Sequence, residues 1–106
     1  MTSVDLIHTI QWLEQMWLQN YTINDDGTVD VNGDVDLSNR NLTKISVRFG
    51  KIKGNFWCDN NQLTTLRGAP RKVEGSFLCY RNKLTTLQGA PEYVGNNFSC
   101  SANRLI

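Results

Sequence analysis

Residues 54–74, GNFWCDNNQLTTLRGAPRKVE, and residues 75–95, GSFLCYRNKLTTLQGAPEYVG, are two copies of one motif that agree at 12 of 21 positions without a gap. The segment 96–106, NNFSCSANRLI, begins a further copy, and residues 33–53, GDVDLSNRNLTKISVRFGKIK, match one period earlier at their apolar positions. Repeats of this length cannot bury their apolar side chains alone, so they stack and share a core. The sequence therefore predicts about three and a half repeats of 21 residues over residues 33–106, each forming one rung of a solenoid.

Five columns of apolar residues indicate how each rung folds. Phe-x-Cys in the middle rungs places two side chains on one face of a strand, because side chains alternate along a strand. Gly-Ala-Pro at residues 68–70 and 89–91 predicts a corner, since proline cannot donate to a strand ladder. Each rung is expected to contain one strand, a corner, a short irregular or 3₁₀ return and a second corner. The columns are Val35/Phe56/Phe77/Phe98, Leu37/Cys58/Cys79/Cys100, Leu42/Leu63/Leu84/Leu105, Ile45/Leu66/Leu87 and Ile52/Val73/Val94.

The repeats resemble two groups of known proteins. FLCYRNKL, residues 77–84, is similar to the LxLxxNxL core of leucine-rich repeats, with Phe and Cys in two leucine places. The rungs NQLTTLRGAPRKVEGSF and NKLTTLQGAPEYVGNNF, preceded by YTINDDGTVDVNGDVDLS, resemble the short leucine-rich-repeat-like accessory proteins of large tailed bacteriophages, over the chain from Trp12 onward. Arg40 departs from this pattern because it occupies the asparagine column. The predicted fold class is mainly β: a short leucine-rich-repeat-like solenoid with an N-terminal α-helix and β-hairpin cap.

The N-terminal segment predicts a cap helix over residues 1–20 that covers the first rung. Ser3 is the expected N-cap, and Asp5 suits the positive end of the helix dipole. Trp12 lies off the apolar stripe and is expected to be exposed. The stripe has helical spacing and is expected to be core, at Leu6, Ile7, Ile10, Leu13, Met16 and Trp17.

Residues 21–37 predict a hairpin cap that leads into the first rung. Asp25-Asp26-Gly27 supplies the first turn, and Asn32-Gly33 lies at the second. A three-residue loop, 32–34, pairs Val31 with Val35 and keeps the apolar side chains on one face, whereas a two-residue turn would mix valines with aspartates. The longer loop is therefore the predicted one.

The last rung has no predicted cover. Its strand leaves an unpaired edge and the end of the apolar columns, which is a liability unless another chain lies there. We expect this edge to self-associate, giving a homo-oligomer, or to dock a partner. Its residues are Phe98, Leu105 and Ile106.

Composition and charge narrow the class of protein. At 106 residues, the chain is predicted to form a single domain, 1–106. Because it has no apolar run of about 18 residues and no basic stretch followed by an apolar one at its start, neither a membrane span nor a signal peptide is expected. Three cysteines, an odd number, disfavour a disulfide framework and favour the cytoplasm, which for a phage protein is that of the infected host. The net charge of +1 divides into −7 for residues 1–36 and +8 for residues 37–106, so a dipolar molecule is expected.

Catalytic and metal chemistry find little support in the pattern. Cys58, Cys79 and Cys100 would point inward in a row, and with no fourth ligand they fit buried thiols better than a zinc site. His8 has no catalytic partner, and the aspartates at 25–34 fit turns better than a calcium loop. The asparagine column, 61/82/103, is interpreted as structural. We expect no enzyme activity, no cofactor and no metal.

The outward face of the strands is the candidate binding surface. If Phe56 and Cys58 point inward, Trp57 points outward, and the next rung exposes Leu78 and Tyr80. Exposed aromatic and aliphatic anchors with a charged rim are typical of protein-binding sites. The rim residues are Asp36, Asp59 and Arg81. We therefore expect a protein-binding module. Together with the phage resemblance, this predicts a protein that inhibits or redirects a bacterial host protein, such as a defence component, with no membrane partner.

Two other functions compete with this one. The first is a self-assembling structural subunit, which would use the C-terminal edge. The second is nucleic-acid binding through the basic return side of the rungs. The pattern disfavours nucleic acid because the basic density is modest and no aromatic residues interleave with it. The basic residues are Lys44, Arg48, Lys51, Lys53, Arg67, Arg71 and Lys72.

Overall fold

A computed structural model describes residues 2–106, and within them the chain forms one helix followed by nine short strands. Five strands form one sheet in the order β1-β2-β4-β6-β8, and four form another in the order β3-β5-β7-β9. All neighbours are parallel except β1 and β2. The elements are α1 Ser3–Gln15, β1 Tyr21–Ile23, β2 Thr28–Val31, β3 Val35–Asp36, β4 Arg48–Ile52, β5 Phe56–Trp57, β6 Lys72–Val73, β7 Phe77–Leu78, β8 Tyr93–Val94 and β9 Phe98–Ser99.

The strand register confirms the 21-residue period. Phe56 pairs with Phe77, and Val73 pairs with Val94. The chain is therefore a β-solenoid of about three turns, as the repeats predict. The expectation of an irregular return is wrong, because each return contains a short strand of its own. Glu74 N donates to Ile52 O (2.9 Å), so the returns are joined by backbone hydrogen bonds as the other strands are.

The core lies between the two sheets and contains a column of stacked phenylalanines. Phe49 of β4 meets Phe56 of β5 edge to face, with ring centroids 5.1 Å apart. Phe77 stacks on Phe56 at 5.6 Å, and Phe98 stacks on Phe77 at 5.5 Å. Phe56 and Phe77 are fully buried, whereas Phe98 is 40 % exposed. The predicted phenylalanine column is thus the centre of the core, and it becomes more exposed toward the last rung.

The helix caps the first rung with a different set of side chains from the predicted stripe. Thr2, not Ser3, is the N-cap: its hydroxyl accepts from Asp5 N (3.1 Å), and the Asp5 carboxylate accepts from Thr2 N. Leu13 is fully buried, and Trp12 packs edge to face on Phe49 at 6.3 Å. The expected exposure of Trp12 is therefore wrong. No helix within residues 2–106 is long and apolar enough to cross a membrane.

The prediction that the apolar stripe is buried is wrong at three of its positions. The helix ends at Gln15, and Trp17 follows it in a left-handed conformation (φ 61°) that turns the chain away from the helical course. Trp17 is therefore 83 % exposed. Leu6 and Ile7, near the start of the helix, are also exposed.

The first turn of the hairpin cap agrees with the prediction, but the pairing across the second does not. β1 and β2 form an antiparallel hairpin around residues 24–27, with Tyr21 opposite Val31. The predicted pairing of Val31 with Val35 is wrong, because β2 pairs in parallel with β4 and places Val31 beside Ile52. Residues 32–34 form a solenoid corner between the two sheets. The Ile52 column thus begins one rung earlier, in the hairpin.

One backbone position in each rung adopts a left-handed conformation. The four residues share φ values between 54° and 58° and lie 21 residues apart, at Asn39, Asn60, Arg81 and Ala102. Asparagine tolerates this conformation, whereas other residues with a Cβ are strained by roughly 1–2 kcal/mol. The last two rungs therefore carry unfavourable residues here.

Replacing Ala102 with Asn should increase the free energy of unfolding by about 1 kcal/mol, because the strain of a left-handed alanine is relieved. Urea denaturation measures the change. Thr85→Asn is the matched control, since Thr85 is exposed and has no positive φ. If Ala102→Asn is no more stable than the control, the backbone at Ala102 is not strained as described.

Candidate functional site

The outward side of the β3-β5-β7-β9 sheet brings together the predicted apolar residues. Register places Trp57 directly between Asp36 and Leu78 on neighbouring strands. Tyr80 lies two residues beyond Leu78, so the two side chains point to the same side. We call Trp57, Leu78 and Tyr80 the strand-face patch. All three are half-buried, which leaves part of each accessible while neighbouring side chains hold it.

Asp59 is buried beside the patch rather than exposed on its rim. Only 5 % of Asp59 is accessible, so its predicted exposed position on the rim is wrong. Tyr80 follows Asp59 by one period, and Asn60 N donates to Tyr80 O (3.0 Å), which places the two side chains next to each other. The negative charge of Asp59 raises the pKa of the Tyr80 hydroxyl. Tyr80 therefore stays neutral and can donate a hydrogen bond.

The other two rim residues are exposed. The Asp36 carboxylate accepts from Ser38 N (3.0 Å) and Ser38 Oγ (2.5 Å), which fixes its orientation. Arg40 Nη2 donates to the backbone oxygen of Asp36 (3.3 Å). Arg81 is exposed and occupies the left-handed position of its rung. Both charges of the predicted rim are therefore available beside the patch.

Trp17 is a candidate residue that the sequence interpretation missed. It lines a cleft of about 240 Å³ together with Asp34, Asp36 and Arg40. Since Asp36 is also the neighbour of Trp57, this cleft lies next to the strand-face patch. Helical spacing fits as far as residue 17, and no Gly or Pro between residues 15 and 18 marks the end of the helix. The sequence therefore offered no signal that Trp17 leaves the core.

The asparagine column has the predicted structural role. Asn82 Oδ1 accepts from Leu63 N (3.0 Å), and its Nδ2 donates to the carbonyls of Cys58 and Cys79 (both 3.0 Å). Asn61 and Asn103 repeat this arrangement in their own rungs. Each amide thus satisfies backbone groups of two rungs at a corner.

The cysteine column points into the core. Cys58 and Cys79 are fully buried, and burial raises the pKa of the Cys58 thiol well above its usual range and that of Cys79 to about 12. Cys79 Sγ donates to Ser99 O (3.4 Å). These thiols therefore stay protonated at neutral pH. Within residues 2–106, no group of three His, Cys, Asp or Glu side chains could hold a metal ion.

The basic residues lie on the return side of the rungs, as predicted, but an aromatic side chain lies among them. Lys51 and Lys72 are neighbours in register, and Tyr93 follows Lys72 on the next strand. Lys72 Nζ lies 5.5 Å from the centre of the Tyr93 ring. The statement that no aromatic residue interleaves with the basic residues is therefore wrong.

The predicted self-association edge is accessible. Phe98 and Leu105 are partly exposed, and Ile106 is fully exposed. Self-association through this edge stays a prediction.

The fold and this surface define the class of the protein as a short β-solenoid with an aromatic patch on one sheet. Comparisons with models of protein families, with curated proteins and with solved structures find no match to this chain. The resemblance to phage accessory proteins therefore stays a prediction from the sequence.

Proposed function

We propose that this protein is a non-enzymatic binding module whose strand-face patch binds another protein. The observation that carries the proposal is the register that sets Trp57 beside Leu78 on the outside of a sheet whose inner face already fills the core. Folding requires the inward phenylalanines and leucines. It does not require a Trp, a Leu and a Tyr together on the opposite side, so a partner explains them better.

The scaffold around the patch favours binding because it fixes the anchors beforehand. Leu37 N donates to Trp57 O (2.7 Å), and Cys58 N donates to Leu78 O (2.8 Å), so backbone hydrogen bonds to neighbouring rungs hold both anchors. Aromatic anchors held in this way lose little conformational freedom on binding, and such residues supply most of the energy of protein interfaces.

Charge indicates the kind of partner surface. Asp34 and Asp36 lie beside the exposed Trp17 at the end of the patch nearest the cap, where the acidic residues of the chain are concentrated. A basic rim on the partner would complement this end and orient the encounter, while Arg81 would meet an acidic group farther along. Following the phage resemblance, we propose a bacterial host protein as the partner, which is inhibited or redirected when bound.

Replacing Trp57, Leu78 and Tyr80 together with Ala should abolish capture of the partner from bacterial lysate. Each anchor is expected to contribute about 2 kcal/mol to binding, which is roughly thirtyfold in affinity. Because the three side chains are half-buried, Leu78→Lys is the companion variant: its aliphatic stem preserves packing while its charge opposes an apolar contact. Thermal unfolding verifies that both variants are folded.

The matched control is Thr64→Ala with Thr85→Ala, two exposed residues away from the patch. The control should capture the same protein as the unchanged chain, and both patch variants should lose it. If folded patch variants capture that protein as well as the control does, the proposed function fails.

A further inference from the structure

Two lysines lie side by side on the outer face of the β2-β4-β6-β8 sheet without an acidic partner. Lys51 pairs in register with Lys72, which places their backbones one strand spacing apart, about 4.8 Å. Like charges directly opposite each other destabilise a sheet. Within residues 2–106 the only ion pair is Arg71 with Glu92 (3.4 Å), so neither lysine forms an ion pair with an acidic side chain of the described residues.

A second group of cations lies close to this lysine pair. Lys44, Arg48 and Arg67 line a cleft of about 420 Å³ together with the hydroxyl residues Ser46 and Thr65, and no acidic residue lines it. Arg48 is held in place because its guanidinium donates to Asp26 O. Arg48 and Lys51 lie three residues apart on the same strand, so the cleft and the lysine pair are neighbours along it. We call these five cations the basic strip: Lys44, Arg48, Lys51, Arg67 and Lys72.

An aromatic ring lies at the far end of the strip. Tyr93 is exposed, and it lines a cleft of about 590 Å³ together with both lysines. Asp26, Asp30 and Glu92 also line this cleft, but each carboxylate has another partner. Asp26 accepts from Thr28 N (2.9 Å), Asp30 accepts from Lys51 N (2.8 Å), and Glu92 pairs with Arg71 (3.4 Å). Cations without an ion-pair partner, together with an exposed ring, are the combination by which proteins hold the phosphates and stack the bases of single-stranded nucleic acids.

We propose that the basic strip binds single-stranded nucleic acid, with phosphates at the strip and one base on Tyr93. A single strand is favoured over a duplex because a stacked, paired base offers no free face to the ring. This inference goes beyond the proposed protein binding and does not depend on it, because Arg48, Lys51 and Lys72 of the strip lie on strands of one sheet and Trp57 and Leu78 of the strand-face patch on strands of the other.

Fluorescence anisotropy of a labelled oligothymidylate of about 15 nucleotides, at about 50 mM salt, tests the proposal. Binding is expected to weaken with salt with a logarithmic slope of about −2, the value for three phosphate contacts on a single strand. Lys51→Gln with Lys72→Gln should weaken binding and bring the slope closer to zero. Tyr93→Ala should weaken binding about tenfold and leave the slope unchanged, because stacking releases no counterions.

The matched control is Lys83→Gln with Arg104→Gln, which changes the net charge equally at exposed residues that line neither cleft. It should bind as the unchanged chain does. The proposal is overturned if the oligothymidylate does not bind, if a duplex of the same length binds as tightly, or if Tyr93→Ala has no effect. Equal loss in the control and in the lysine variant would also overturn it, since only net charge would then matter.

Discussion

Phe77→Ala is expected to lower the free energy of unfolding by about 3–5 kcal/mol, the cost of a large cavity in a core. Phe77 is fully buried and stacks on both Phe56 and Phe98, so its loss interrupts the aromatic column in the middle of the solenoid. Since domains are commonly stable by only about 5–15 kcal/mol, the melting midpoint should fall by more than about 10 °C. Urea and thermal unfolding followed by circular dichroism measure both quantities.

Phe98→Ala is the matched comparison for this substitution. The same ring is removed, but Phe98 is 40 % exposed and stacks on one neighbour only. Phe98→Ala should lower the free energy of unfolding by clearly less than Phe77→Ala does. Equal costs at the two positions would contradict the placement of Phe77 at the centre of the core.

Asn82→Ala is expected to lower the free energy of unfolding by about 3 kcal/mol, although the residue is polar. Its amide oxygen accepts from Leu63 N, and its removal leaves this buried N–H unpaired, at about 1–3 kcal/mol. The carbonyls of Cys58 and Cys79 each lose one of two donors, since Asn61 and Asn103 also donate to them, and the two lost hydrogen bonds add to the cost. Asn82→Asp should also destabilise, because a carboxylate cannot donate to the two carbonyls. Chemical denaturation gives the change for each variant.

Asn103→Ala is the control within the same column. Asn103 makes the equivalent bonds in the last rung but is only half-buried, so water can replace its amide. The cost should be about 1 kcal/mol. If Asn82→Ala costs no more than Asn103→Ala, the corner amides do not hold the rungs together as described.

The repeat can be read from the sequence because every turn of the solenoid uses the same number of residues, 21. Each inward position must hold an apolar residue every 21 residues, and both the Phe56 column and the Val73 column were assigned correctly. The outward positions of Trp57, Leu78 and Tyr80 followed from alternation along the same strands. The corner role of Asn82 followed from the need to satisfy backbone groups at each turn.

The wrong predictions concern residues where the repeat pattern ends or where two structures fit the same periodicity. Trp12 and Trp17 both fit a helix, but the left-handed turn after Gln15 leaves Trp17 exposed, whereas Trp12 lies within the helix and packs on Phe49. Val31 can pair with Val35 in a hairpin or with Ile52 in a rung, and the second arrangement joins it to the longer sheet. The position of Tyr93 beside Lys72 depends on the returns being strands, which no pattern of alternation revealed.

The central claim is that a protein partner lies on the strand-face patch, and site-specific photo-crosslinking tests it most directly. Benzoylphenylalanine in place of Leu78 would be compared, in bacterial cells, with the same residue in place of Thr85, which is exposed but outside the patch. We predict that the residue at position 78 crosslinks to one host protein and that the residue at position 85 does not. Crosslinking to that protein at position 85, with none at position 78, would contradict the claim.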